Sequence, residues 1–105
     1  MTRTVDVVIV GADGAALAAT VDAVRRGLRV LVVIRRRRSG FAQRLRRAIG
    51  AARMPAPHPI TVLTGAEIAC VDGVKSIEAV VVRRLRTRRL IAFNASELVV
   101  AGGGA

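Results

Sequence analysis

The stretch that decides the fold is residues 5–38, VDVVIVGADGAALAATVDAVRRGLRVLVVIRRRR, in a chain of 105 residues. It begins with an apolar run, Val5–Val10, whose β-branched residues predict a buried strand. A glycine turn, GADGAA at Gly11–Ala16, follows, and a second apolar run, Arg29–Ile34, predicts another buried strand. A segment with helical periodicity separates the turn from the second run. The stretch therefore predicts a strand–turn–helix–strand unit of the size that a parallel crossover takes.

The helical segment extends from Ala15 to about Arg26, and Gly27 follows where a C-terminal cap is expected. Its apolar positions recur at helical spacing and are predicted to face the sheet (Leu17, Val21, Val24). Because this helix begins directly after the turn, its first N–H groups and the positive end of its dipole point at any anion bound there. Gly11 and Gly14 either let the backbone approach such an anion or simply permit a tight turn.

The remaining sequence predicts a second helix and five further strands. In order these are a helix at Phe41–Arg53 and strands at Ile60–Leu63, Ala66–Val71, Ile77–Leu85, Leu90–Asn94 and Glu97–Ala101. Residues 66–94 shift toward an alternating pattern with short turns at Asp72-Gly73 and Thr87–Arg89, which is typical of a three-stranded antiparallel meander.

This order of elements resembles the nucleotide-binding domains of flavoproteins that have two dinucleotide-binding domains. The motifs that carry the resemblance are VDVVIVGADGAALAA, RRGLRVLVVIRR, RSGFAQRL, ITVLTGAEI and ELVVAGGGA. The sequence resembles the NADPH domain of thioredoxin reductase-like enzymes and, almost as well, the FAD domain of FAD-dependent pyridine nucleotide oxidoreductases. The resemblance implies an α/β, three-layer Rossmann-like FAD/NAD(P)-binding domain. Its short parallel sheet would have the strand order third–second–first–last, with the antiparallel meander packed on one side.

The resemblance also implies a cofactor site for FAD or NADP(H). The turn would contribute to it, together with the end of the second strand and the point where the last strand returns beside the first. The implied residues are Gly11, Ala12, Asp13, Gly14 and Ala15, then Ile34, Arg35 and Arg36, and finally Ala101 and Gly102.

Two positions depart from the family pattern. In G-x-G-x-x-G/A, Gly11 and Ala16 match the first and last positions, but Asp13 replaces the middle glycine. A carboxylate about 4 Å from a pyrophosphate charge is repelled by roughly 4 kcal/mol at an effective dielectric of about 20, unless it turns away and caps the helix. Ile34 replaces the acidic residue that usually accepts hydrogen bonds from the ribose hydroxyls in members that bind FAD or NAD.

Each of the two groups of basic residues allows two interpretations. Arg35 and Arg36 match the pair that contacts the ribose 2′-phosphate in NADPH domains of this type, a dianion that the planar guanidinium suits; alternatively, Arg35–Arg38 is a solvated loop. A second basic cluster surrounds the predicted hairpin (Arg83, Arg84, Arg86, Arg88, Arg89). No aromatic residue is interleaved with it to stack bases, so a solvated or partner-facing edge is favoured over nucleic acid.

Composition narrows the class of protein. The formal net charge is +11, and Lys75 is the one lysine among 18 basic residues, which favours phosphorylated ligands, nucleic acid or an acidic partner. No apolar run reaches the roughly 18 residues of a membrane helix, and we expect a cytoplasmic protein.

The cysteine and the histidine predict no redox or metal site. Cys70 is the one cysteine, which excludes a disulfide within the chain, and it is expected to be a small buried hydrophobe. His58 has no ligand-spaced companion, so no metal site is predicted.

The sequence therefore predicts a single dinucleotide-binding domain, residues 1–105, that acts as a subunit or binding module of an oxidoreductase-type flavoprotein. With no nucleophile–base pair, dithiol or second cofactor domain, catalysis by the isolated chain is not expected. An exposed sheet edge favours a homodimer or a partner subunit. The alternative hypothesis is a non-catalytic Rossmann relic, in which Asp13 and Ile34 have removed cofactor binding and the arginine surface binds an acidic protein or nucleic acid.

Overall fold

The computed structural model describes residues 3–54 and 59–101, and these form two helices and eight strands. The elements are β1 (Arg3–Thr4), β2 (Val7–Val10), α1 (Gly14–Arg25), β3 (Val30–Ile34), α2 (Phe41–Ala51), β4 (Ile60–Thr64), β5 (Ala66–Asp72), β6 (Ala79–Arg84), β7 (Leu90–Asn94) and β8 (Glu97–Val100). Every predicted helix and strand is present, and its ends differ from the prediction by at most two residues.

The central layer is a parallel sheet in the strand order β4-β3-β2-β8. β2 pairs with β3 from Val7↔Val30 to Val10↔Val33, and β8 pairs with the opposite side of β2. This confirms the predicted order third–second–first–last. The carboxyl ends of all four strands lie at the same edge of the sheet, and the turn after β2 lies there as well.

The two faces of the parallel sheet are covered by different layers, because successive side chains of a strand point to opposite faces. One face packs against α1 and α2, and its buried side chains include Val7, Ile9, Val30, Val32, Phe41 and Leu45. The other face packs against the meander, and its buried side chains include Val8, Leu31, Val33, Val80, Val82 and Phe93. Burial on both faces explains why these strands are continuous apolar runs. The three-layer α/β prediction is confirmed.

The meander contains one strand that the sequence did not predict. β5, β6 and β7 are antiparallel as expected, but β1 adds to β7 in a parallel pairing, with Arg3 opposite Phe93. A two-residue polar strand has no periodicity of its own, so tertiary contacts alone define it. The hairpin between β5 and β6 begins at Asp72-Gly73 as predicted, but it is longer than a two-residue turn: residues 73–78 connect the two strands, and the Glu78 N–H donates to the Asp72 carbonyl at 2.9 Å.

Cys70 is exposed on β5, so the expectation of a buried thiol is wrong. The reason is a register shift between Ile68 and Cys70, where β5 carries one extra residue relative to β6. The shift places Cys70 opposite Val81 instead of Val80. Val80 is buried in the core and Val81 points to the other face of the sheet, so the shift turns the cysteine outward.

Candidate functional site

The turn after β2 is fixed to its neighbours on both sides. The Gly11 N–H donates to the Val33 carbonyl at 3.1 Å, and the Ala101 N–H donates to the Val10 carbonyl at 2.9 Å. Gly11 has a φ of 133°, a backbone conformation that side chains disfavour. A Cβ at this position would also overlap the carbonyl oxygen of Ala101. Glycine is therefore required at position 11 by the fold itself, with or without a ligand.

Asp13 is the N-cap of α1. Its Oδ1 accepts a hydrogen bond from the Ala16 N–H at 2.9 Å, and its carbonyl accepts from the Leu17 N–H at 3.0 Å. An aspartate in this position stabilises a helix by about 0.5–2 kcal/mol relative to alanine. The carboxylate thus turns back onto the helix, which is the arrangement that lessens its conflict with an anion. It also occupies one of the N–H groups that an anion would use.

Gly14 differs from Gly11, since nothing in the fold requires a glycine at position 14. A Cβ at position 14 would meet no atom within 4 Å. Gly14 and Ala15 are exposed and begin α1, and first-turn amides of a helix have no acceptor within it. The structure thus presents unobstructed backbone at the positive end of a 12-residue helix.

Arg44 is a residue of this site that sequence reasoning missed. Its Nη2 donates a hydrogen bond to the Ala12 carbonyl at 2.6 Å, which ties α2 to the middle of the turn. Arg44 lies in the first turn of α2, where the helix dipole disfavours a cation. An arginine near the N-terminus of a helix is unfavourable for that helix. Its position in the sequence was therefore a signal that could have indicated a hydrogen-bond partner outside the helix.

The three predicted site residues at the end of β3 differ in their exposure and their contacts. Ile34 is 1% exposed and packs in the helix-side core with Phe41 and Leu45. Its side chain therefore has no polar atom for a ligand and is not accessible to one. Arg35 is exposed and lines an open pocket of about 280 Å³ with mostly apolar neighbours, namely Val10, Ala66, Glu67, Ile68, Leu98 and Val100. Arg36 is exposed, and its carbonyl accepts a hydrogen bond from the Gly65 N–H at 3.3 Å.

The structure thus brings most of the predicted site residues to the carboxyl edge of the parallel sheet. Gly11 to Ala15 form the turn, Ala101 contacts Gly11, and Arg35 shares a pocket with the ends of β2 and β8. Gly102 and His58 lie outside the described residues. Within residues 3–54 and 59–101, no group of three or more His, Cys, Asp or Glu side chains is placed to hold a metal ion. No helix in the described part of the chain is long and apolar enough to cross a membrane.

The sequence matches no protein-family model and no curated protein. In structure, however, the chain has the Rossmann-like fold of the nucleotide-binding domains of FAD-dependent oxidoreductases. It is similar to thioredoxin reductase from Giardia duodenalis (TM-score 0.75, 19% identity) and from Streptococcus pyogenes (TM-score 0.74, 15% identity), with 97% of this chain and 32% of each enzyme covered. It is also similar to the rebeccamycin biosynthetic enzyme RebC with reduced flavin (TM-score 0.67, 15% identity), with 95% of this chain and 33% of that one covered.

The chain spans about a third of the length of the thioredoxin reductases that it matches. At 15–19% identity this likeness establishes the fold. It agrees with the fold that the sequence motifs imply.

Proposed function

We propose that this chain binds a dinucleotide, FAD or NADP(H), at the carboxyl edge of its parallel sheet, as a subunit or binding module of an oxidoreductase-type flavoprotein. The observation that carries the proposal is the open backbone at Gly14 and Ala15. These residues lie at the start of α1, beside a turn whose shape Gly11 fixes. This arrangement suits a pyrophosphate, which accepts hydrogen bonds from such amides and is attracted by the helix dipole.

The residues around the turn favour NADP(H) over FAD. Ile34 is buried and carries no acceptor for ribose hydroxyls, whereas Arg35 and Arg36 are exposed directly after it. Guanidinium groups pair well with a phosphate dianion such as the ribose 2′-phosphate. The apolar pocket beside Arg35 offers space for a planar base. A bound nicotinamide cofactor would supply hydride chemistry, while the residues of this chain would hold and orient it.

Asp13 sets the expected strength of binding. Its carboxylate competes for the Ala16 amide and adds a negative charge at the turn, so we propose weak binding by the natural sequence. The same observation supports a second candidate function, a non-catalytic scaffold whose cofactor site is degenerate. The two candidates differ in what happens when the charge at position 13 is removed.

The test is calorimetric titration of NADPH, NADH and FAD into the natural protein and the Asp13→Asn variant. Asparagine caps a helix about as well as aspartate, so the change removes the charge and keeps the turn. We expect Asp13→Asn to bind NADPH at least tenfold more tightly, since about 1.4 kcal/mol corresponds to a factor of ten. We also expect NADPH to bind more tightly than NADH.

The matched control is Asp22→Asn, which removes the same charge from an exposed position of α1. It lies nine residues further along, about 13 Å from Asp13, and should leave the NADPH affinity unchanged. Absence of NADPH and FAD binding in both the natural protein and Asp13→Asn would reject the dinucleotide proposal. That result would leave the scaffold as the function to pursue.

A further inference from the structure

A groove lined by arginines lies beside the carboxyl edge of the parallel sheet. It has a volume of about 500 Å³, and its lining contains four arginines together with Thr64, Gly65 and Leu85. Arg35 and Arg37 come from the loop between β3 and α2, whereas Arg84 and Arg86 come from the end of β6 and the hairpin that follows. Two segments about 50 residues apart in sequence thus direct the same charge into one groove.

Gly65 joins the two segments. Its N–H donates to the Arg36 carbonyl at 3.3 Å, and its own carbonyl accepts from the Leu85 N–H at 2.9 Å. Gly65 has a φ of 60°, and a Cβ there would lie 3.8 Å from the Arg37 Cα. Backbone hydrogen bonds therefore hold both arginine-bearing segments in place before any ligand binds, which lowers the entropic cost of binding.

The groove arginines lack carboxylate partners among the described residues. Ion pairs form instead at Arg26, Arg29 and Arg83, the last with Glu67 at 3.3 Å. The groove lining contains no acidic side chain, so four like charges face one another across it. Mutual repulsion of this kind is relieved by a bound polyanion, and arginine forks bond phosphate groups bidentately.

We propose that this groove binds the phosphate backbone of a single-stranded nucleic acid. Leu85 is the one large apolar residue in the lining, so the groove lacks the packed apolar anchors on which protein–protein interfaces depend. A flexible single strand can bend to place successive phosphates against both segments, whereas phosphates on a duplex have a fixed spacing. The hairpin arginines alone favoured a solvated or partner-facing edge, and the groove changes this interpretation because it adds Arg35 and Arg37 from a second segment. With no aromatic side chain in the lining, phosphate contacts alone hold the strand, so binding is independent of base sequence and strongly dependent on salt. This inference does not rest on dinucleotide binding at the turn; Arg35 borders both sites, whereas Arg37, Arg84 and Arg86 belong to the groove alone.

The test uses the variant Arg37→Gln/Arg86→Gln, which removes one exposed arginine from each segment. Fluorescence anisotropy with a labelled oligothymidylate measures affinity at several salt concentrations. We expect the variant to bind about tenfold more weakly at low salt, and the slope of log K against log salt to become shallower by about 1.4, since each single-strand phosphate contact contributes about 0.7.

The control is Arg25→Gln/Arg26→Gln, which removes the same charge from the end of α1. α1 starts at the carboxyl edge of the sheet, so this end lies at the opposite edge, and the control should keep both the affinity and the slope. Thermal melts verify that both variants are folded. Equal losses in the two variants would overturn the proposal, because they would reflect net charge alone. Tighter binding of a duplex of the same length, or displacement of the strand by polyglutamate at equal charge, would overturn it too.

Discussion

Arg44 in the first turn of α2 donates a hydrogen bond to the carbonyl oxygen of Ala12, at 2.6 Å. This bond fixes the middle of the glycine turn, in addition to the hydrogen bonds that tie the turn to its neighbouring strands. It also places a positive charge beside the turn to which we propose that a pyrophosphate binds. The second helix therefore belongs to the candidate site, although the sequence motifs located that site in the first helix and the strand ends.

The first prediction concerns Arg44. Arg44→Met should weaken NADPH binding, because the change removes both the hydrogen bond to the turn and a nearby positive charge. The free energy of unfolding should fall by about 1 kcal/mol or less, since the bond is exposed. Arg47→Met, at an exposed position on the same helix, serves as the control. Titration of NADPH into both variants checks the prediction, and equal affinities would contradict it.

The second prediction separates the two glycines of the turn. Gly11→Ala should be strongly destabilising, with about 1–3 kcal/mol from backbone strain and a similar amount from the overlap with Ala101. Gly14→Ala should instead raise the free energy of unfolding by up to about 1 kcal/mol, because alanine is the better helix former. If a ligand approaches the backbone at Gly14, the same variant should bind NADPH less well. Urea denaturation and calorimetry together measure both effects.

The third prediction concerns the helix cap. Asp13→Ala should lower the free energy of unfolding by about 0.5–2 kcal/mol, since the Ala16 N–H loses its acceptor. Asp13→Asn should be nearly neutral in the same urea denaturation experiment. If both variants are equally destabilised, the charge of Asp13 rather than its capping bond supports the fold.

The fourth prediction concerns pH. Arg29 donates to the Asp6 carboxylate from Nε at 3.2 Å and from Nη2 at 3.1 Å, and its backbone N–H donates to the same carboxylate at 2.7 Å. The side-chain hydrogen bond, followed by the backbone bond, lowers the pKa of Asp6 below its ordinary value of 3.8. The folded state therefore binds this proton less readily than the unfolded state.

Consequently, the stability contributed by Asp6 is fully present above its ordinary, unfolded-state pKa and is lost as the pH falls through the lower folded-state pKa. The natural protein should melt at a higher temperature than Asp6→Asn near neutral pH, and this difference should shrink as the solution is acidified below about pH 4. Melting curves of both proteins across this range measure the effect. A difference that stays constant with pH would show that the carboxylate charge is not responsible.

The fifth prediction concerns Cys70. Because the register shift in β5 turns its thiol outward, a thiol reagent should label the native protein at a rate comparable to that of the urea-unfolded chain. Cys70→Ser removes the one thiol of the chain and should abolish labelling in both states. Strong protection of Cys70 in the natural protein would contradict the observed register.

The fold was predictable because its signals are local and repeated. β2 and β3 are apolar throughout since both of their faces are buried, and the glycine turn marks where the first helix begins. β1 was not predictable, because Arg3 and Thr4 pair with β7 through contacts made by the distant meander. The outward thiol at Cys70 was missed for a similar reason. A single extra residue in β5 changes the face of the strand without altering its composition.

The candidate site was predictable in outline from the turn and from the returning last strand. Contacts between elements were less accessible to sequence reasoning. The bond from Arg44 to Ala12 depends on how α2 packs beside α1. The arginine groove depends on a backbone bridge through Gly65. Neither the Arg44 bond nor the groove corresponds to a fixed spacing in the sequence. The packing of the layers brings the partners together.

The strand order also has a consequence for biosynthesis. β2 is flanked by β3 on one side and by β8 on the other, so one edge of an early strand stays unpaired until residues 97–100 have been translated. At about 5–20 residues per second, that delay lasts from roughly 5 to 20 seconds. During this interval the nascent chain exposes an apolar strand edge to its surroundings. Non-native pairing with this edge therefore competes with folding until β8 is in place beside β2.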